Sequence, residues 1–343
     1  MSFRDIPDSC EIALTARTAR RSKRVGKAVM YKVLRTYPAD VVRLPGLRHF
    51  WAVLLRLPIR KTLLFCVLCV RYLPALMPML TARPGSNLHR LLKARPELRG
   101  IVLSSFVALN WDARTRLARL INHCRTVDEI GGVIDFPPDV IVDLVSLESI
   151  DQRYRMTLDQ AYWLVREGPV VLTLWDGRER VFHLGFCLAT ENGKRIAYVG
   201  LIQGRKSDEK INILECYRHF TKAAAGMRPR DFMVEVFKML CRAIGVSEIR
   251  AVSEKNHPQR QLFGDVTLGY DDIWRERGGR DTGGGFFVLS VENGRRHAED
   301  IPADKRAMYA RRYSMLDAVE AELASALRSN INYRTVQGRI QKI

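Results

Sequence analysis

A strand pair closed by Asn192-Gly193 constrains this chain more than any other feature. Val181–Ala189 and Arg195–Gln203 are apolar runs on either side of that dipeptide. Asn-Gly supplies two consecutive residues that tolerate positive φ, which a two-residue hairpin turn of matching twist requires. The spacing predicts an antiparallel hairpin over 181–203. Asp176-Gly177 punctuates the chain one run earlier, after Val170–Trp175, and extends the expected antiparallel set back to residue 170.

The segment after the hairpin is basic. Arg218-His-Phe-Thr-Lys222 leads to Gly226-Met-Arg-Pro-Arg230, then to a helix over 230–244 and a strand over 248–253. Phe232, Val236, Met239, Leu240 and Ala243 fall at helical spacing, and Gly245 stops the run. A helix start leaves backbone N–H groups without partners and carries the positive end of the helix dipole. Gly226 permits a turn that other residues resist, and Pro229 suits the first helical turn. Arg228 and Arg230 bring forked donors, and Arg218 and Lys222 stand one turn apart on the preceding helix, about 208–223. These five residues (Arg218, Lys222, Gly226, Arg228 and Arg230) form a candidate cradle for phosphate or carboxylate. An ordinary helix–turn–helix corner with surface arginines fits the same residues.

Fold class follows from the texture of the whole chain. Arg114–Cys124 has helical spacing, with Asn110 and Asp112 as cap candidates. After Gly131-Gly132 short strand-like runs begin with Val140–Leu147. A Gly283-Gly-Gly285 turn precedes a strand over 286–291, and a last helix spans about 304–327. The expectation is an α+β protein: a helical N-terminal section, then a mixed, mostly antiparallel sheet flanked by helices. The organisation reads as a basic arm (1–46), a helical section that contacts membrane (47–130), an α+β core (131–328) and a basic tail (329–343).

The 343 residues carry 56 Lys and Arg against 37 Asp and Glu, a net charge of +19, which favours anionic partners. Seven scattered cysteines read as buried free thiols in a reducing compartment, and no signal peptide is evident. Segment 47–80 mixes Phe50, Trp51 and leucines with Arg48, Arg56, Arg60 and Arg71, which suits an anionic bilayer surface. A spanning helix needs about 20 unbroken apolar residues, and here Arg71, Pro74 and Pro78 interrupt the run. A buried or interfacial helix is expected; a core helix with an arginine-lined outer face, and a membrane span, remain alternatives.

Chemistry-bearing motifs are sparse. His257, past the end of strand 248–253, is a candidate general base, with Tyr270 as its acid. No nucleophilic triad, zinc spacing, phosphate-binding Walker loop or dinucleotide fingerprint is present, and no metal is expected.

Several stretches together resemble the VirK/YbjX family of Gram-negative bacteria. They are Val199-Gly-Leu-Ile-Gln-Gly204, Arg218 with Thr221-Lys222, Gly226-Met-Arg-Pro229, Ala251-Val-Ser253 with His257, and Tyr270-Asp271 with Trp274. Lys305-Arg306-Ala307, followed by Tyr309, Arg311, Arg312 and Tyr313, completes the pattern. The resemblance spans roughly residues 50–325 and implies a link to virulence and the cell envelope, with no agreed active-site residues. The order hairpin, basic turn, helix, strand, with Leu268-Gly269-Tyr270 later, also resembles the GNAT acyltransferase superfamily. That likeness implies an acyl-carrier thioester such as acyl-CoA, although a helix stands here between strand and turn. The expected function is envelope- or virulence-associated action on an anionic or acyl-bearing substrate, acyl transfer included, at the cytoplasmic face of the inner membrane. The alternative is a non-enzymatic accessory protein that binds anionic lipid or a protein partner. Nucleic acid, supported by charge alone, is disfavoured.

Overall fold

The computed structural model describes residues 59–207, 211–260, 269–328 and 333–335. The expected arm over 1–46, and the tail apart from 333–335, lie outside the described residues. Four helices come first: α1 (Ile59–Arg71), α2 (Leu73–Leu80), α3 (Asn87–Ala94) and α4 (Ala113–Ile130). Asp112 caps α4 by accepting from Thr115 N at 2.7 Å, and Gly131, at φ +63°, ends it. Then come β1 (Val140–Val145), β2 (Tyr154–Asp159), β3 (Val170–Asp176), β4 (Glu179–Glu191) and β5 (Lys194–Gly204). Helices α5 (Ile213–Ala223) and α6 (Pro229–Ala243) lead to β6 (Val246–Val252) and α7 (Tyr270–Glu276). β7 (Arg280–Asp281), β8 (Phe286–Leu289), α8 (Arg306–Arg328) and β9 (Tyr333–Thr335) complete the described elements.

The strands form one sheet in the order β7-β8-β6-β5-β4-β3-β2-β1-β9. All neighbours among the described strands run antiparallel except β5 and β6. The expected α+β class and the mixed, mostly antiparallel sheet are what the molecule has. Asn192 (φ +50°) and Gly193 (φ +75°) make the tight turn between β4 and β5, both left-handed as their hairpin requires.

Helices cover both faces of the sheet. In a strand, adjacent side chains point to opposite faces. On β4 the Phe186 ring packs on Phe237 of α6, with centroids 4.9 Å apart, while the Cys187 thiol lies against the Arg119 carbonyl of α4. α4 is also fastened to β4 by polar bonds: Leu188 N donates to His123 Nδ1 at 3.0 Å, and Thr190 N to Asn122 Oδ1 at 2.9 Å. The other face carries α5, α6 and α8, and the main core lies between them and the sheet. Gly131-Gly132 is thus a change of texture along the chain with continuous packing across it.

β2, α7 and the short strands β7 and β9 escaped the sequence expectation. β2 alternates Tyr154, Met156 and Leu158 with Arg155, Thr157 and Asp159, a period of two with buried polar residues on its second face. α7 is only two turns long, too short for a periodic signature. The apolar segment near residue 70 is two helices. Among the described residues no single helix is long and apolar enough to cross a membrane, and α1 and α2 reach that length only as a pair bent by 92°.

Candidate functional site: the parting of the parallel strands

β5 and β6 pair from Arg195 opposite Val246 to Val199 opposite Ala251. β6 ends at Val252, but β5 runs on to Gly204. On its other side β5 carries a bulge. Val199 pairs with Phe186 and Leu201 with Gly185, so Gly200 is the extra residue. The turn 164–168 presses onto the sheet at that point. A Cβ on Gly200 would come 2.0 Å from the Glu167 carbonyl oxygen, and one on Gly168 2.2 Å from Phe186 N. Only glycine allows so close a backbone approach.

Past Val199 the edge of β5 has lost its strand partner, and two side chains take the vacated place. The His257 imidazole lies near the Gly200 backbone, and the Tyr270 phenol near the Ile202 backbone. Neither contact attains full hydrogen-bond geometry. The two rings stack obliquely, with centroids 4.5 Å apart. Trp274, one turn further along α7, donates from its indole N–H to the Val252 carbonyl at 2.9 Å and finishes the end of β6.

The opposite side of the gap is covered by residues 106–110. Val107 N donates to the Arg166 carbonyl at 2.7 Å and Leu109 N to the Asn256 carbonyl at 2.9 Å, so the segment spans from one wall to the other. Asn256 also donates to Asn110 Oδ1 and accepts from Asn110 N, both at 2.8 Å. Val107 is buried at φ +56°, a conformation that costs a β-branched residue about 1–2 kcal/mol. The surrounding bonds hold it there. Glu167, also buried, accepts from the Gln259 amide at 3.3 Å.

Burial decides the protonation states. Desolvation pulls the His257 imidazole down to about 4 and pushes the Tyr270 phenol well above its ordinary value. At neutral pH the imidazole is a free base and the phenol keeps its proton, the states a general base and a hydrogen-bond donor need. Both side chains are 0% exposed.

The five basic-corner residues sit at the junction of α5 and α6. Arg218, Lys222 and Arg228 are exposed and have no carboxylate partner among the described residues. Arg228 is the N-cap of α6, with no side-chain cap bond. Gly226 takes φ +76°, and a Cβ there would meet Met308 Sδ at 3.1 Å and an Arg312 nitrogen at 3.2 Å. Arg230 is committed elsewhere, to Asp231 at 3.3 Å and Glu276 at 2.5 Å. Asp231 also meets Arg277 at 3.0 Å, so the first turn of α6 already holds an anion of its own. The two groups of candidates are linked through α7, which begins at Tyr270 and ends beside Arg230. No direct contact joins Arg218, Lys222 or Arg228 to His257 or Tyr270 among the described residues.

Sequence reasoning missed three participants. Arg312 donates from Nε and a terminal nitrogen to the Ala225 carbonyl at 3.2 and 3.0 Å, which brings the start of α8 onto the basic corner. The run Tyr309 to Tyr313 is where it could have been sought. Glu167 and Gln259 meet across 92 residues of sequence and leave no local signal. Among the described residues no cluster of His, Cys, Asp and Glu could hold a metal ion.

The architecture is that of an α+β protein with one parallel strand pair parting around a buried His–Tyr couple. The family described as "Protein of unknown function (DUF535)" matches residues 58–325, and the chain belongs to it. It is similar to "Uncharacterized protein YbjX" of Escherichia coli, 26% identical over 256 residues, covering 71% of this chain and 76% of that protein. An uncharacterized protein of Haemophilus influenzae is 27% identical over 228 residues, covering 65% and 75% of the two chains. A second one from that organism is 30% identical over 168 residues, 48% of this chain and 54% of its own. The VirK/YbjX membership expected from the motifs is therefore shown. No solved structure matches.

Proposed function

We propose that this protein works at an anionic membrane surface, at the cytoplasmic face of the inner membrane, on an anionic or acyl-bearing substrate. One observation carries the reading. Leu63, Leu64, Val67, Val70, Leu73 and Met77 are exposed along α1 and α2, with Val70 at 76% and Leu63 at 62%. They recur at helical spacing within each helix, Leu63, Leu64, Val67 and Val70 on α1 and Leu73 and Met77 on α2, while Phe65, Leu76 and Met79 are buried. A contiguous apolar patch of this kind marks an interaction surface. Arg71 stands exposed among these residues, and the chain carries +19 overall, so an anionic bilayer matches both the apolar and the charged character. The test is sedimentation with vesicles of phosphatidylcholine alone or mixed with phosphatidylglycerol. Binding is expected only with the anionic lipid, to weaken in high salt, and to vanish in a Leu64→Glu/Val67→Glu/Val70→Glu variant. Equal sedimentation of that folded variant overturns the reading.

A second reading, acyl transfer from an acyl-carrier thioester such as acyl-CoA, is favoured by the neutral imidazole and protonated phenol at the parting of β5 and β6. His257 takes the proton of an acceptor nucleophile as it attacks the thioester carbonyl and passes it to the leaving thiolate, to which Tyr270 donates a hydrogen bond. Arg218, Lys222 and Arg228, exposed and without a carboxylate partner among the described residues, hold the carrier's phosphates at the turn that Gly226 makes, while Arg230 keeps its bonds to Asp231 and Glu276. Thiol release from acyl-CoA, lost in His257→Gln, supports this step. Vesicle binding without any thiol release assigns the protein the accessory role, binding lipid or a partner without turnover.

A further inference from the structure

A second polar site lies on the α4 face of the sheet, away from the parting strands. Thr157, Thr173, His183 and Gln203 are cross-strand partners in one row over β2, β3, β4 and β5. Such a row on a buried sheet face is costly unless every group is bonded. Thr157 is bonded, accepting from the Trp175 indole at 2.8 Å. His183 is half bonded. Its Nδ1 meets the Thr173 hydroxyl at 3.3 Å, while Nε2 has no hydrogen-bond partner and the residue is 4% exposed. This distinguishes it from His257, whose ring lies near a backbone group. Either atom of the Thr173–Nδ1 pair can donate; where Thr173 does, the neutral ring carries its proton on Nε2 and offers a buried donor.

The surroundings say what would receive it. Arg180 and Arg205 lie close enough to help depress the His183 imidazole, after burial itself, to about 3. Each already has a carboxylate, Asp159 and Glu179 respectively, so the pairs leave a polarised but neutral frame. Arg180 is stacked between Trp163 and Trp175, at 5.3 and 4.6 Å from their ring centres. Beside the polar row, Leu201 and Val171 pack with Ala161, Leu164 and Trp163 into a separate small apolar cluster. Gln203, half-buried, marks the open end of the row.

We infer that Thr173 donates to His183 Nδ1 and that the row at His183 and Gln203 binds an oxyanion, carboxylate or phosphoryl, whose attached apolar chain lies against Trp163 and Leu201. His183 Nε2–H and the Gln203 amide are the donors. This inference stands whether or not the protein meets a membrane or transfers an acyl group. It rests on a buried ring nitrogen without a hydrogen-bond partner, next to an apolar wall and an aromatic–guanidinium stack.

The experiment uses the whole chain and four probes: octanoate, octyl phosphate, inorganic phosphate and octanol. Binding is followed by calorimetry and by the ring resonances of His183 in the wild type. Octanoate or octyl phosphate is expected to bind and to shift the His183 Nε2 resonance, and which of the two binds more tightly tells the source of the oxyanion. Octanol and inorganic phosphate, each lacking one half of the ligand, are expected to bind at least about 10-fold more weakly, as loss of a charged hydrogen-bond partner implies. His183→Gln keeps a donor near the Nε2 position and is expected to retain part of the affinity; Gln203→Ala, at a half-buried position, is expected to reduce it. Since a substituted core histidine can impair folding, the wild-type resonance shift decides on its own. If no probe moves that resonance, or octanol binds as well as octanoate, the row is a structural or water-filled seam and the inference is overturned.

Discussion

The two sides of β5 differ in how they end. Toward β4 the ladder runs from the Asn192-Gly193 turn to Gly204 opposite Phe182, nearly the whole strand, with one bulge at Gly200. Toward β6 it stops at Val199, and the imidazole of His257 and the phenol of Tyr270 stand where a strand would. The comparison teaches that a sheet edge can be finished by side chains, at the cost of incompletely bonded polar atoms. A continuous strand bonds every backbone group of its neighbour; two rings reach only Gly200 and Ile202. On the β6 side of β5 the incompletely bonded polar atoms are therefore His257 Nε2 and the Tyr270 hydroxyl.

The largest test of this contrast is steric. Gly200→Ala places a Cβ against the Glu167 carbonyl, where the only relief is backbone movement, and is expected to destabilise by about 3 kcal/mol or more in urea titrations. Gly185→Ala, on β4 opposite Leu201, meets the Leu201 side chain at an ordinary 3.5 Å and is expected to cost far less. Equal effects would mean that the bulge is not the pivot of the parting.

Acid comes next. His123, His183 and His257 are held neutral by burial, at about 3, 3 and 4. Their folded values lie below the unfolded value, so the unfolded chain takes up protons first as pH falls. Stability is full above the unfolded value of about 6.5 and is lost progressively down to the folded values, by roughly 2 kcal/mol per histidine at pH 4.5. Asp159 and Glu97, whose carboxyls burial raises, oppose this loss at the acid end. Urea midpoints at pH 7 and 5 measure the slope. His257→Gln and His183→Gln should each flatten it, one from the β6 side of β5 and one from the β4 side; a slope unchanged in both variants breaks the assignment.

Smaller effects sharpen the contrast. Asn192→Ala, in a left-handed turn position, is expected to cost about 1 kcal/mol on the complete side of β5. Tyr270→Phe removes a hydroxyl that lacks a full hydrogen bond, so its stability is expected to change by less than about 1 kcal/mol. A large loss on Tyr270→Phe would show that the phenol completes the edge as firmly as a strand would.

The complete side of β5 was legible in the sequence and the incomplete side was not. Asn192-Gly193 declares the hairpin because the turn chemistry is local. The helix over 229–243 was legible for the same reason, through its spacing, Pro229 and Gly245. β2 was missed because Thr157 and Asp159 are buried, which breaks the rule that polar alternates are wet. His257 and Tyr270 were both named, yet their neighbours Glu254, Pro258, Asp271 and Asp272 gave no sign that the two rings are wholly buried. Arg230 looked as available as Arg228, because its partner Glu276 lies 46 residues away. Gly200 as a bulge, and the Glu167 carbonyl that requires it, depend on a register that no local pattern encodes.

The seating of α4 on β4 has a consequence for how the chain is born. Leu117, Leu120, Cys124 and Val127 line a stripe of α4 that is sealed in the finished protein. A ribosome delivers residues 113–130 before residues 179–191, so the helix emerges with its N-terminal neighbours to meet but without the strand it seats on. Until the hairpin is made, the nascent helix is a sticky intermediate, shielded by its N-terminal neighbours or by a chaperone. Synonymous slow codons placed between the two segments are expected to lengthen that interval and lower the soluble yield, whereas the same delay placed after residue 204 leaves it unchanged.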